Sequence, residues 1–146
     1  MIGPPLVLDA AGLEALARPR PPDRLRALLA EALARDREVI APTIVCAEVA
    51  RGAERTRSLE AAVSRHRRAA GERPAIRLVD TDFDLARRVG AILAATGRGP
   101  EEVVDAHVVA VCVPSGGGLV VTSDPDDVNE LAGAVPAVRI RTTPPA

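Results

Sequence analysis

The chain has 146 residues and 47% hydrophobic content, which fits one domain, expected over residues 1–146, with a single core of ordinary size. A formal charge of −1 excludes a chain that is basic throughout, while 19 arginines and no lysine still allow a local basic patch where acids gather elsewhere. Phe83 is the only aromatic residue, so the core is aliphatic and stacking of bases on aromatic platforms is nearly excluded as a binding mode.

Leu6-Val7-Leu8-Asp9 is a short apolar run between Pro4-Pro5 and Ala10-Ala11-Gly12, which predicts a buried strand with Asp9 at its end. From Asp23, Leu25, Leu28, Leu29, Ala32 and Leu33 recur at helical spacing. Residues 38–41 predict a second strand closed by Pro42, and Thr43 is suited to cap a following helix that carries Glu48 and ends near Gly52. An arginine-rich helix is expected over about 54–70, with Leu59 and Val63 on its apolar side and Gly71 at its end. Ile76 to Val79 is a third strand, and 82–95 a helix through Leu85, Val89, Ile92 and Leu93.

The segment 101–113 is rich in valine, which favours a strand, but its length, Pro100 and the acids Glu101 and Glu102 favour a buried helix. A turn over 115–118 precedes a fourth strand at 119–123, then a short helix at 126–132 and a fifth strand at 138–142, with a flexible tail from about 141. Alternating strands and helices, with continuously apolar strands, indicate an α/β fold of three layers around a parallel sheet of about five strands.

Cys46 and Cys112 lie in apolar runs without a partner at metal-ligand spacing and read as reduced core residues, which points to the cytosol. The sequence contains no run of membrane-spanning length, and Met1 to Pro5 lacks the features of a signal peptide, so no membrane partner is expected.

In open parallel sheets the ligand site lies beyond the carboxyl ends of the strands, where the strand order reverses. Asp9 and Asp124 occupy such ends, Glu48 follows the second strand by one and a half helical turns, and Asp105 sits one turn into its helix, with Glu102 on the same face. Glu48 and Asp105 are set among otherwise core-like residues. Two carboxylates about 5 Å apart repel by roughly 3 kcal/mol at an effective dielectric near 20, so a cluster of four calls for a cation. Oxygen donors select Mg²⁺ or Mn²⁺ over zinc, and such ions acidify a water and clamp the oxygens of a phosphodiester.

Each member also has a purely structural reading: Asp9 as a turn former, Asp124 as a helix cap, Glu48 paired with Arg51 or Arg55, and Asp105 in an inner salt bridge. Those readings weaken together, because all four acids fall at the same end of the sheet. His107 points away from Asp105, and His66 lies in a run of arginines that reads as a solvated helix face with phosphate contact as its alternative. Thr122 and Ser123 are placed either to orient a water at the site or to hold the turn.

These segments resemble the PIN-domain nucleases, and most closely the VapC-like toxins of bacterial toxin–antitoxin pairs. The resemblance is carried by Leu6-Val7-Leu8-Asp9-Ala10, the segment Pro42 to Gly52 with Glu48, Val104-Asp105-Ala106-His107-Val108-Val109-Ala110, and Val121-Thr122-Ser123-Asp124-Pro125-Asp126-Asp127. It implies a cytoplasmic Mg²⁺- or Mn²⁺-dependent endoribonuclease with Asp9, Glu48, Asp105 and Asp124 as catalytic and metal-binding residues. It also implies an RNA substrate, a cognate antitoxin and a homodimer. Ala10, Ala11 and Gly12 stand where the family often has a hydroxyl or amide after the first aspartate, so support of that residue falls to Thr122 or Ser123. Asp127 rivals Asp124 as the fourth ligand, and Glu102 is an outer candidate.

Two other classes place acids in this way. A phosphoryl-transfer domain built on an aspartate is disfavoured, because such sites rely on a lysine at the phosphate and this chain has none. A catalytically weak binding module of the same fold is the other.

Overall fold

The computed structural model describes residues 3–65 and 74–146. Five strands alternate with helices: β1 (Leu6–Leu8), α1 (Ala10–Leu16), α2 (Asp23–Ala34), β2 (Val39–Pro42), α3 (Thr43–Val49), α4 (Ala53–Arg65), β3 (Ile76–Val79), α5 (Phe83–Thr96), a 3-10 turn (Pro100–Glu102), α6 (Val103–Ala110), β4 (Gly117–Val121), α7 (Pro125–Ala132) and β5 (Arg139–Thr143). Every strand pair is parallel and the order is β3-β2-β1-β4-β5, giving the expected three-layer α/β/α arrangement.

The inner strands are apolar because both of their faces are covered: all of β1 and β2 is buried, as is β4 apart from half-buried Leu119. The edge strands β3 and β5 carry arginines and exposed positions instead. Leu13, Leu16, Leu25, Val45, Ile92, Val108 and Leu131 bring the helices onto the sheet as one aliphatic core. Removing each from water contributes about 1.5–3 kcal/mol. The segment 101–113 is helical as read, although it opens as a 3-10 turn and ends at Ala110.

Four expectations change. Ala10-Ala11-Gly12, read as the break after the first strand, opens α1, because Asp9 caps that helix and a Cβ at Gly12 would lie 3.2 Å from the Val121 carbonyl oxygen. Thr43 does not cap α3: Pro42 takes the cap position without a side-chain bond, and the Thr43 hydroxyl donates to Asp80 Oδ1 at 2.5 Å. β4 begins at Gly117 and ends at Val121, two residues ahead of the expected strand. The two glycines belong in it because a Cβ at Gly117 would meet the Arg139 carbonyl oxygen at 2.6 Å, and one at Gly118 the Cys112 sulfur at 2.6 Å. β5 runs through Thr143, so residues 141–143 are sheet and not tail.

Cys112 is fully buried and burial pushes its thiol up to about 12, whereas Cys46 is only half-buried. The His66 arginine run and the expected end of its helix lie outside the described residues.

Candidate active site

The chain leaves β1 in one direction to build β2 and β3, then crosses to β4 on the other side of β1, so the strand order reverses between β1 and β4. Leu8 is in register with Val121, and the Asp9 N–H donates to the Val121 carbonyl at 3.3 Å. Asp9 therefore stands at the switch-point crevice. Its Oδ1 accepts the Gly12 N–H at 2.9 Å, so the structural reading of Asp9 as a local cap holds for one of its two oxygens.

Thr122 is buried at 2% exposure beside it. Its hydroxyl is within hydrogen-bonding reach of the Asp9 carboxylate and accepts the Asp124 N–H at 3.0 Å. A hydroxyl with a single proton can satisfy both only by donating to Asp9 and accepting from Asp124. Burial raises the Asp9 pKa, while Thr122 and the Gly12 and Ala11 N–H groups lower it in part. Thr122 thus supplies the support that Ala10, Ala11 and Gly12 cannot, while Ser123 is exposed and makes no hydrogen bond among the described residues.

Asp105, half-buried in the first turn of α6, is the electrostatic centre. Its carboxyl is pushed up to about 6, first by burial and then by the negative charges of Glu48, Asp127, Asp9 and Asp124. Acids from the ends of β1 and β4 and from α3, α6 and α7 are thus gathered around one point. Asp124 holds the cap position of α7, yet its side chain makes no cap bond. Arg51 Nε donates to the backbone carbonyl of Glu48 at 2.8 Å and leaves its carboxylate alone, while Arg55 lies 4.0 Å from Glu14. Among the described residues no ion pair involves Asp9, Glu48, Asp105 or Asp124.

Glu102 belongs to a different cluster. Arg98 Nη1 contacts its Oε1 at 2.5 Å and lies 3.6 Å from Asp127 Oδ1, while Nη2 pairs with Glu130. These acids hold the guanidinium protonated. Arg98 ties the 3-10 turn to α7 and draws Asp127 to the rim of the site. Sequence reasoning missed it, since its partner Glu130 is distant in the chain and no spacing announces the pair. His107 is structural as expected: its ring nitrogens meet the Val103 carbonyl at 2.7 Å and the Thr81 hydroxyl at 2.9 Å, so neither is available for catalysis.

The family model of the PIN domain matches residues 7–134. The chain belongs to the PIN domain family. Members of this family are usually metal-dependent nucleases, and the matched span contains Asp9, Glu48, Asp105, Asp124 and Asp127. A solved structure of FitAB bound to an IR36 DNA fragment is similar in fold, with a TM-score of 0.60 and 18% identity over 96% of this chain and 94% of that one. A sequence search of curated proteins gave no match. In this PIN domain the donor set fits a hard divalent cation: it offers carboxylate oxygens alone, crowded enough to raise Asp105, and among the described residues only Asp127 of these acids has a guanidinium partner, Arg98. Among the described residues no three acidic, histidine or cysteine side chains already stand in ligand geometry, and Glu48 and Asp124 are exposed.

Proposed function

We propose that this PIN domain is an endoribonuclease that hydrolyses RNA phosphodiester bonds with Mg²⁺ or Mn²⁺, and that it acts as the VapC-type toxin of a type II toxin–antitoxin pair. The observation that carries the reading is the gathering of Asp9, Glu48, Asp105 and Asp124 at the switch point with no ion pair to any of them among the described residues. An uncompensated cluster of this kind is unfavourable by itself and becomes favourable around a cation.

Asp9 is the pre-oriented ligand, since the α1 N–H groups and Thr122 fix its carboxylate before any ion arrives. Asp105 is the central ligand, and Glu48 and Asp124 close from the solvent side. Asp127 acts on Asp105 more strongly than Asp124 does but is tethered toward Arg98, so Asp124 is taken as the fourth ligand with Asp127 as its rival. These residues would hold a divalent ion, which would supply an acidified water and charge neutralisation at the scissile phosphate, so that hydrolysis would need no protein nucleophile. The toxin assignment rests on the resemblance of the four acidic segments to VapC-like toxins, and the fold shared with FitAB agrees with it.

The test is cleavage of single-stranded RNA and DNA oligonucleotides by the purified chain in Mg²⁺, in Mn²⁺ and in chelator. RNA cleavage that falls to background in chelator and in Asp9→Asn supports the reading. Cleavage indifferent to both defeats it, and a folded protein that cleaves nothing and shows no ion binding by calorimetry is a binding module. Growth arrest on expression, relieved by a small protein encoded in the adjacent reading frame, tests the toxin role.

A further inference from the structure

β5 is an edge strand, and Arg139, Arg141 and Thr143 alternate onto one of its faces, while Ile140 between them packs against the core. Arg139 and Arg141 are exposed. At the third position Thr143 is buried, and its hydroxyl accepts Arg24 Nη2 at 2.6 Å, so a guanidinium from α2 takes the next place in the row. Among the described residues none of these three arginines pairs with an acid.

The row has two ends. At the far end, Arg139 and Arg141 enter a groove of about 650 Å³ with Gly3, Arg37, Gly116 and Gly117 in its walls and, among the described residues, no acid lining it. At the near end, the Thr143 carbonyl accepts the Thr122 N–H at 3.0 Å, and the Thr122 hydroxyl binds the Asp124 N–H and reaches Asp9. The arginines thus lead along the sheet edge to the acidic cluster.

We infer that this row is a track for the sugar-phosphate backbone of single-stranded RNA, held in the groove and delivered to the acidic cluster. The inference rests on the ribonuclease reading and deepens it. Alternate residues of a parallel strand are about 6.6 Å apart, close to the separation of successive phosphates in an extended strand, and a guanidinium binds phosphate through two parallel N–H groups. The lone aromatic, Phe83, lies at the start of α5 with Arg87 over its ring, so the grip falls on phosphates and tolerates any base order. An acidic peptide would also suit arginines, but RNA is favoured because the row continues into a site built for a phosphodiester.

The test measures binding of a labelled single-stranded RNA of about twelve nucleotides to the full chain in chelator, across a salt series, for wild type and for Arg139→Ser/Arg141→Ser. We expect about tenfold weaker binding at low salt and a plot of log affinity against log salt shallower by roughly 1.4, about 0.7 for each phosphate that the variant no longer neutralises. With metal restored, cleavage of a dinucleotide should be unchanged while the long RNA loses about the same factor in kcat/KM. Unchanged binding, slope and length dependence would overturn the track. So would polyglutamate binding that vanishes in the variant while RNA binding does not change. Weaker RNA binding as described, with a wild type that cleaves no RNA, keeps the track and defeats the ribonuclease reading.

Discussion

At the scale of single residues, Thr122 does the most with the fewest atoms. One buried hydroxyl is within reach of the first acid of the cluster and accepts the N–H of another, so it links the ends of β1 and β4. Thr122→Val keeps the shape and removes both bonds, leaving buried polar groups unmatched at a cost of about 1–3 kcal/mol. RNA cleavage should fall about tenfold or more and the melting temperature should drop, whereas Thr122→Ser should recover most of both. Cleavage and melting curves of the two variants side by side check this, and equal loss in both would show that the methyl group matters as much as the hydroxyl. Asp105 gives the opposite sign. Its neighbours and its burial disfavour its charge, so Asp105→Asn should stabilise the metal-free protein at neutral pH, on the order of 1 kcal/mol once solvent screening is allowed for, while abolishing cleavage. Chemical denaturation in chelator measures the first effect and the oligonucleotide assay the second.

At the scale of elements, what the sequence discloses divides by whether the signal is local. The inner strands are legible because a run such as Leu6-Val7-Leu8 must be covered on both faces, and the helices at 23 and 82 because their apolar period is sustained over three turns. Asp9, Glu48 and Asp105 are legible as acids in apolar surroundings. α1 is not, since it has seven residues and Gly12 mimics a break; the glycine is there because α1 presses on β4. Gly117 and Gly118 mimic a turn for the same reason, their real constraint being a neighbour remote in sequence. Gly117→Ala should therefore separate β4 from β5 and cost about 1–3 kcal/mol by overpacking against backbone that cannot move aside. Urea unfolding checks the value, with Gly90→Ala, where a Cβ meets nothing within 4 Å in the middle of α5, as the expected neutral or stabilising control. Arg98 is illegible for a third reason: its i,i+4 partner Glu102 lies beyond a Gly-Pro break, and its other partners, Asp127 and Glu130 on α7, are remote in sequence.

At the scale of the whole molecule, the cluster makes stability depend on pH and on metal together. Asp9 and Asp105 have folded-state pKa values above those of ordinary aspartates, Asp105 at about 6, so the folded chain binds protons there more tightly than the unfolded chain does. The contribution of Asp105 to stability is then full below the unfolded value near 4 and is lost as pH rises through its folded value of about 6, and that of Asp9 has the same sign. The total curve sums every titrating group of the chain, so it does not by itself isolate the site. The difference between wild type and Asp105→Asn does: in chelator the variant's advantage should be small at pH 4.5, grow between about 4 and 6, and level off above about 7. A divalent ion should reverse the ranking, because it binds the ionised carboxylates and stabilises the folded chain by about 2.7 kcal/mol at a hundredfold excess over its Kd. That stabilisation should be much smaller at pH 4.5, where a proton holds Asp105, and should be absent in Asp105→Asn at every pH. Melting curves in Mn²⁺ and in chelator across this range decide the matter: a metal-induced rise in melting temperature that is equal at pH 4.5 and 7.5, or equal in the variant, would locate the ion away from Asp105.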